Sequence, residues 1–242
     1  MTIFDFVLDP LLSLPHWASA VIVIVVAYLI GAIPFSLIVG KVFFGVDLRE
    51  EGSGNLGATN TFRILGGKAG IAILLIDMAK GALPVFIARF VVDASWPYIA
   101  VNETSSWNSE LGALLLITSA FAAIIGHTAS PYIKFRGGKG AASSAGVMFA
   151  LVPIVFVISA IIFFSTTAIT RYVSVGTILT AVTFPLWTQL AYNSLPLTIF
   201  ALVIAVVVPV LHKSNIGRLR AGTEPKFSWK NRGQREGTLW QK

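Results

Sequence analysis

The stretch at 52–63 is polar and glycine-rich and separates two long apolar segments. Its glycines let backbone N–H groups turn toward an anion, and its side chains add hydroxyl, amide and guanidinium donors. The candidate phosphate ligands are Ser53, Gly54, Asn55, Gly57, Thr59, Asn60 and Arg63. A nucleotide P-loop requires Lys directly before its hydroxyl residue. Here Ala58, and not Lys, precedes Thr59, so a P-loop nucleotide site is excluded. An ordinary interfacial turn is the alternative interpretation.

A second polar cluster spans 126–143 and contains Gly137-Gly138-Lys139-Gly140 directly before an apolar helical pattern. Free N–H groups at a helix start, together with a lysine, favour an anion. Lys139 is therefore a candidate ligand, and His127 is a candidate supporting residue. Lys134 and Arg136 in the same cluster are also typical of basic loops that only anchor lipid headgroups.

A third cluster spans 212–226. If the preceding helix continues past Leu211, His212 and Asn215 share one face because they are three residues apart. Glu224 and Lys226 follow as supporting residues. A lone histidine near the membrane is commonly structural, but the neighbouring polar groups favour a binding site.

Composition predicts an all-α, polytopic integral membrane protein, since 55% of the 242 residues are hydrophobic and only 12% are charged. Apolar spans are predicted at 18–40, 69–92, 111–133, 140–170, 173–192 and 195–211. Asp77 and Lys80 lie inside the second span, where a buried pair either supports the site or stabilises the structure.

The distribution of Lys and Arg predicts the orientation. The loops at 41–68 and 134–139 are basic, whereas 93–110 contains no Lys or Arg, so the first two are expected in the cytoplasm. A basic C-terminal tail on the same side requires an even number of crossings after Lys139. Division of 140–170 at Val152-Pro153 gives about seven spans with the N-terminus outside. A re-entrant pair of half-helices at 140–170 is the alternative.

Several function classes are excluded by composition. The chain has no cysteine, which rules out disulfides and thiol catalysis. Its basic tail has no nucleic-acid-binding motif, so no nucleic-acid partner is expected. We expect no cofactor and no metal, because no cluster offers closely spaced His and carboxylate ligands.

The three clusters carry a family resemblance. The motifs are Ser53-Gly-Asn-x-Gly-Ala-Thr-Asn-x-x-Arg63, Asp77-x-x-Lys80-Gly81, Gly126-His-x-x-x-Pro131 followed by Phe-Arg136-Gly-Gly-Lys139-Gly, and His212-x-x-Asn215-Ile-x-Arg218. In this order they resemble the bacterial acyl-phosphate:glycerol-3-phosphate acyltransferase (PlsY) family over 31–226. A long segment at 93–110 and an extension beyond Lys226 depart from the family pattern.

The resemblance implies transfer of a fatty acyl group from acyl phosphate to the sn-1 hydroxyl of glycerol 3-phosphate, giving lysophosphatidic acid and phosphate. It places the first loop, 53–60, around acyl phosphate. It assigns Arg63, Lys139, His212 and Asn215 as the ligands of glycerol 3-phosphate. Together with Ser53, these four residues are the candidates for catalysis. The domains implied are a transmembrane acyltransferase domain at 1–226 and a basic cytoplasmic tail at 227–242.

The implied location is the bacterial inner membrane, with multiple spans and the active site facing the cytoplasm. Membrane lipids and the enzyme that supplies acyl phosphate are the candidate partners. The hydroxyl proton passes either to a phosphate oxygen of the donor or to His212, and both routes stay open. A covalent Ser53 intermediate has no adjacent histidine to activate it. A transporter of an organic phosphate is the alternative from another class.

Overall fold

The computed structural model describes residues 14–95 and 110–227, which form α-helices without any β-strand. The helices are α1 (His16–Ala32), α2 (Phe35–Phe44), α3 (Ala58–Leu65), α4 (Gly67–Ser95), α5 (Glu110–Thr128), α6 (Ala141–Leu151), α7 (Pro153–Thr170), α8 (Val173–Tyr192), α9 (Leu195–Leu211) and α10 (Lys213–Arg220). Within these residues, five spans are long and apolar enough to cross a membrane, or six with the bent pair α9 and α10. The all-α membrane fold is confirmed.

Prolines explain where the predicted spans are interrupted. The span predicted at 18–40 consists of α1 and α2, separated at Ile33-Pro34, because the residue before a proline avoids helical geometry. The predicted break at Val152-Pro153 is present between α6 and α7. The predicted continuation of the last span past Leu211 is not straight. Helix α10 follows α9 but is bent by 56° from it.

Glycines bring two helix pairs into close contact. A β-carbon on Gly126 of α5 would lie 2.2 Å from the carbonyl oxygen of Tyr28 in α1. A β-carbon on Gly146 of α6 would lie 1.8 Å from the carbonyl oxygen of Met78 in α4. Such small-residue contacts allow membrane helices to pack backbone against backbone. They position α4, α5 and α6 around the site described below.

Two apolar clusters support this arrangement. The larger joins buried side chains of α4, α5, α6, α8 and α9 in the interior of the bundle. The smaller lies beneath the polar loops and consists of Leu37, Val46, Leu48, Leu56 and Ile133. It holds the loop after α2 against the turn at Pro131–Ile133, so two sequence clusters meet at one end of the bundle.

The segment 140–170 leaves this end of the bundle and returns to it. Gly140, at the start of the segment, lines the same cavity as Phe227. The Phe227 N–H donates to the carbonyl oxygen of Arg171, which directly follows the segment, at 2.6 Å. Both ends of the segment therefore lie near Phe227. Helix α6 has 11 residues, so it rises about 16 Å, roughly half of the hydrocarbon core. The number of complete crossings and their orientation stay predictions. Residues 96–109 of the loop predicted outside, and 228–242 of the predicted tail, lie outside the described residues.

Candidate active site

The first polar loop is folded around the buried side chain of Asn60. The Asn60 Oδ1 atom accepts hydrogen bonds from the Ser53 N–H at 3.0 Å and the Ser53 hydroxyl at 3.1 Å. The Asn60 amide nitrogen donates to the carbonyl oxygens of Leu48 at 3.2 Å and Glu51 at 3.1 Å. Asn60 therefore positions the loop, and its predicted role as a direct phosphate ligand stays a prediction.

Glycine is needed where the loop turns over Asn60. Gly52 has φ 61° and Gly54 has φ 67°, in the left-handed region that other residues rarely adopt. A β-carbon on Gly52 would also lie 2.5 Å from Asn60 Oδ1. The turn therefore places the Ser53 backbone against Asn60.

Helix α3 begins at the edge of this loop with an open N-terminus. Gly57 is its N-cap residue, and no side chain caps it. Gly57, Ala58 and Thr59 line a cavity, as does Arg63 from the last turn of the same helix. The first N–H groups of a helix have no partner within the helix, so this end of α3 suits an anion.

A hydrogen-bonded relay joins the second and third clusters. The Lys139 ammonium donates to Asn215 Oδ1. The Asn215 amide nitrogen donates in turn to Glu224 Oε1 at 2.7 Å, and the Arg218 Nε donates to Glu224 Oε2 at 2.7 Å. The Ser174 hydroxyl at the start of α8 donates to Glu224 Oε1 at 2.8 Å. Glu224 is thus the carboxylate that aligns Asn215 and, through it, Lys139.

Burial and charge affect the two ends of this relay differently. Burial lowers the pKa of the Lys139 ammonium, the positive charge of Arg218 lowers it further, and Glu224 only partly offsets them. Burial alone would raise the pKa of the Glu224 carboxyl, but hydrogen bonds from Asn215, Ser174 and Arg218 leave this pKa below its ordinary value. Glu224 therefore stays ionised, while Lys139 has less charge stabilisation than a surface lysine.

His212 lies at the junction of α9 and α10 and is buried. Its Nδ1 atom is 2.8 Å from the carbonyl oxygen of Val208, an atom that can only accept a hydrogen bond. The Nδ1 atom must therefore carry a proton, which leaves Nε2 of the neutral ring as an acceptor. His212 also lines the cavity.

A buried polar cluster lies beside the cavity within the helices. The Lys80 ammonium is 2.8 Å from Asp77 Oδ1 and donates to the carbonyl oxygen of Ile33 at 2.8 Å, where α1 ends. The Nδ1 atom of His127 lies 3.1 Å from the Ser143 hydroxyl and 3.9 Å from Asp77 Oδ1. The cluster joins α1, α4, α5 and α6, which agrees with a supporting role for Asp77, Lys80 and His127.

The chain after α10 folds back over the cavity as a strap formed by residues 222–227. Gly222 has φ 69°, and the chain turns there. The Phe227 ring contacts the Phe62 ring of α3, with centroids 5.0 Å apart. The Lys226 ammonium lies 5.8 Å from the centroid of the Tyr172 ring. The strap therefore connects α3 with the start of α8.

The three polar clusters surround one cavity of about 320 Å³. Its lining includes all the predicted site residues except Gly54 and Lys80. The cavity continues between the helices as an apolar arm, lined by Met148, Phe156, Phe163, Phe184 and Ile204. Sequence reasoning missed Ser174 and this apolar arm. Ser174 had no signal except a hydroxyl group at the start of an apolar span.

Fold and cavity together define an integral membrane protein with a chamber suited to a phosphate-bearing headgroup and an attached apolar chain. The sequence model of the family described as glycerol-3-phosphate acyltransferase matches residues 21–222. The chain therefore belongs to the glycerol-3-phosphate acyltransferase family.

Two relatives illustrate the extent of this similarity. The chain is 44% identical over 209 residues to a glycerol-3-phosphate acyltransferase of Macrococcus caseolyticus (strain JCSC5402), covering 86% of this chain and 97% of the relative. It is 40% identical over 206 residues to one of Fusobacterium nucleatum subsp. nucleatum, covering 85% of this chain and 97% of that relative.

Crystal structures show the same fold. PlsY (YgiH), an integral membrane glycerol 3-phosphate acyltransferase, is 33% identical in its glycerol 3-phosphate form, with a TM-score of 0.74 over 87% of this chain and 96% of that one. The lysophosphatidic acid form of PlsY is 32% identical, with a TM-score of 0.72 over the same shares of both chains.

Proposed function

We propose that this glycerol-3-phosphate acyltransferase transfers a fatty acyl group from acyl phosphate to the sn-1 hydroxyl of glycerol 3-phosphate. The observation that carries the proposal is a single cavity lined by two groups of polar and cationic residues suited to phosphate and by one apolar arm. One set is the loop at 53–59 with the N-terminus of α3. The other combines Arg63, Lys139, His212 and Asn215. Two phosphate-bearing substrates and one fatty chain match these three features.

The reaction forms an ester bond between the sn-1 oxygen and the acyl carbon, and breaks the bond between the acyl carbon and the phosphate oxygen. An acyl phosphate is a mixed anhydride with a good leaving group, so the protein mainly orients two anions and stabilises the developing oxyanion. The products are lysophosphatidic acid and phosphate. In this proposal Ser53, Asn55, Gly57 and Thr59 hold the donor's phosphate, while Asn60 fixes the loop and Gly54, which does not line the cavity, forms its turn.

The hydroxyl proton passes to a phosphate oxygen of the donor. Burial lowers the pKa of the His212 ring and the positive charge of Lys139 lowers it further, while the Val208 hydrogen bond and Glu224 offset only part of this, so a protonated His212 intermediate is disfavoured. The Nε2 acceptor of His212 instead holds glycerol 3-phosphate by accepting a hydrogen bond from its sn-2 hydroxyl, so the sn-1 proton stays free to reach the donor phosphate. His212→Gln separates the two routes, since a retained kcat with a raised KM for glycerol 3-phosphate supports orientation, whereas a lost kcat supports a general base.

Ser53 supports the arrangement without forming a covalent intermediate. Its hydroxyl donates to Asn60 Oδ1 at 3.1 Å, and an amide oxygen cannot serve as the general base for a nucleophilic serine. Membership of the glycerol-3-phosphate acyltransferase family supports the enzyme over the alternative function, a transporter of an organic phosphate.

The proposed location is the inner membrane, with the cavity open to the cytoplasm, seven crossings and the N-terminus outside. Basic residues at the cavity end support this orientation, because Lys and Arg concentrate in cytoplasmic loops. They include Lys134 and Arg136 after the turn at Pro131–Ile133, and Arg171 beside the strap. Membrane lipids and the enzyme that supplies acyl phosphate remain the proposed partners.

A comparison of donors tests the proposal. The purified protein in lipid is given glycerol 3-phosphate with either palmitoyl phosphate or palmitoyl-CoA, and lysophosphatidic acid is measured by mass spectrometry. Product from palmitoyl phosphate alone is expected, with loss of activity in Arg63→Ala. Product from palmitoyl-CoA alone would contradict the proposed donor while leaving the acyltransferase class intact.

A further inference from the structure

Two buried hydroxyls that line the cavity, those of Ser144 and Ser159, have no hydrogen-bond partner among the described residues. Ser144 of α6 is 7% exposed and lines the cavity, and its Oγ atom has no hydrogen-bond partner among the described residues. A buried hydroxyl without a partner is costly, so such a group in a binding cavity points to a ligand that satisfies it.

The position of Ser144 along α6 indicates which part of a ligand it meets. Lys139 and Gly140 precede the helix, Ser144 lies one turn inside it, and Met148 lies one turn deeper in the apolar arm. One helical turn rises about 5.4 Å. Ser144 therefore marks the boundary between the phosphate-binding groups and the apolar arm.

Gly140 lies close to the Ser144 hydroxyl. A β-carbon on Gly140 would lie 4.0 Å from Ser144 Oγ but only 3.2 Å from Thr128 Cγ2, so a side chain at position 140 would crowd this boundary. Gly140 is the N-cap residue of α6 with φ 76°, and no side chain caps this helix. The positive end of the helix dipole favours negative charge near Ser144.

We infer that the Ser144 hydroxyl donates a hydrogen bond to the acyl carbonyl oxygen of the donor and stabilises the negative charge that develops there during transfer. In an acyl phosphate the carbonyl group joins the phosphate to the alkyl chain, so it must lie where the polar and apolar parts of the cavity meet. Ser144 keeps its proton throughout. The inference rests on the proposed acyl phosphate reaction.

Ser144→Ala tests this role, because it removes only the hydroxyl and alanine favours a helix. Loss of one oxyanion donor lowers kcat by about 100-fold to 1,000-fold in known cases. We expect a kcat loss of about 100-fold with palmitoyl phosphate, with the KM for glycerol 3-phosphate changed less than about twofold. Ser144→Thr, which restores a hydroxyl, is expected to recover part of the lost kcat.

Ser119→Ala is the matched control. Ser119 of α5 is also fully buried without a hydrogen-bond partner among the described residues, but it does not line the cavity. Its variant should keep wild-type kcat, and both alanine variants should keep the wild-type unfolding temperature.

The outcomes separate this inference from the proposed function. Wild-type activity with palmitoyl phosphate and a Ser144→Ala kcat within about threefold of it would overturn the role of Ser144 alone. A parallel loss of kcat and unfolding temperature that Ser144→Thr does not repair would also overturn it, in favour of a structural role. Absence of transfer from palmitoyl phosphate by the wild-type protein would overturn both.

Discussion

Glu224 is expected to support the proposed binding of glycerol 3-phosphate without touching the substrate. It accepts hydrogen bonds from Asn215, Arg218 and Ser174, and so fixes the partner of Lys139. Glu224→Gln keeps the shape but removes the charge, and hydrogen bonds to charged groups contribute about 1.5–3 kcal/mol. We expect the KM for glycerol 3-phosphate to rise about tenfold in steady-state kinetics, with kcat little changed.

Glu50→Gln serves as the control for this prediction, since Glu50 is exposed on the first loop. An unchanged KM in Glu224→Gln, or an equal rise in Glu50→Gln, would mean that the relay does not position the cations.

Lys139 gives the site a predictable pH dependence. Its pKa is lowered by burial and by Arg218 from the ordinary lysine value of 10.5, and only the protonated form attracts a phosphate. As pH rises, the KM for glycerol 3-phosphate should therefore begin to increase below pH 10.5. Lys139→Arg should move this increase to higher pH, because a guanidinium keeps its proton. A pH profile of KM that is identical in the two proteins would contradict this assignment.

At the scale of elements, the contact between α4 and α6 fixes the start of α6 near the phosphate-binding loop. A β-carbon on Gly146 would meet the Met78 backbone, which cannot move as a flexible side chain does. Gly146→Ala should lower the unfolding temperature in detergent and reduce activity, since overpacking costs about 1–3 kcal/mol. Gly217→Ala in α10 is the control, because nothing lies within 4 Å of its added carbon. Equal unfolding temperatures for the two variants would contradict the close contact.

The strap at 222–227 is the element that covers one side of the cavity with residues 224–227. Phe227→Ala removes the ring pair with Phe62, and such pairs contribute about 0.5–1.5 kcal/mol. We expect the KM values of the substrates to rise several-fold in kinetic measurements. Phe43→Ala provides the comparison, because Phe43 is exposed on α2 away from the cavity. Equal KM values for Phe227→Ala and Phe43→Ala would show that the strap has no part in substrate binding.

Local sequence patterns were sufficient to predict some helices and breaks, but insufficient to predict which distant residues meet at the site. Apolar runs predicted most spans, and Pro153 predicted the break between α6 and α7, because both signals act within a few residues. Ser174 and Phe62 contact the strap residues Glu224 and Phe227, and no local pattern encodes these contacts. The 56° bend after Leu211 was not predicted either.

At the scale of the whole molecule, the proposed orientation in the membrane rests on the basic residues at the cavity end. The sequence has no cysteine, so single cysteines can report accessibility without a background. Arg136→Cys lies at the cavity end, and Ser194→Cys lies in the connection between α8 and α9. In right-side-out vesicles, a membrane-impermeant maleimide should label position 194 but not 136, and the reverse result would invert the proposed topology.

The central claim is that one cavity brings two phosphate-bearing substrates together for acyl transfer. The most direct test adds increasing concentrations of glycerol 3-phosphate to the purified protein at a fixed concentration of palmitoyl phosphate. Phosphate and lysophosphatidic acid are measured in the same samples. Both products should appear in equal amounts, with rates that increase and saturate with glycerol 3-phosphate. Phosphate release that is independent of glycerol 3-phosphate, without lysophosphatidic acid, would show donor hydrolysis and contradict the claim.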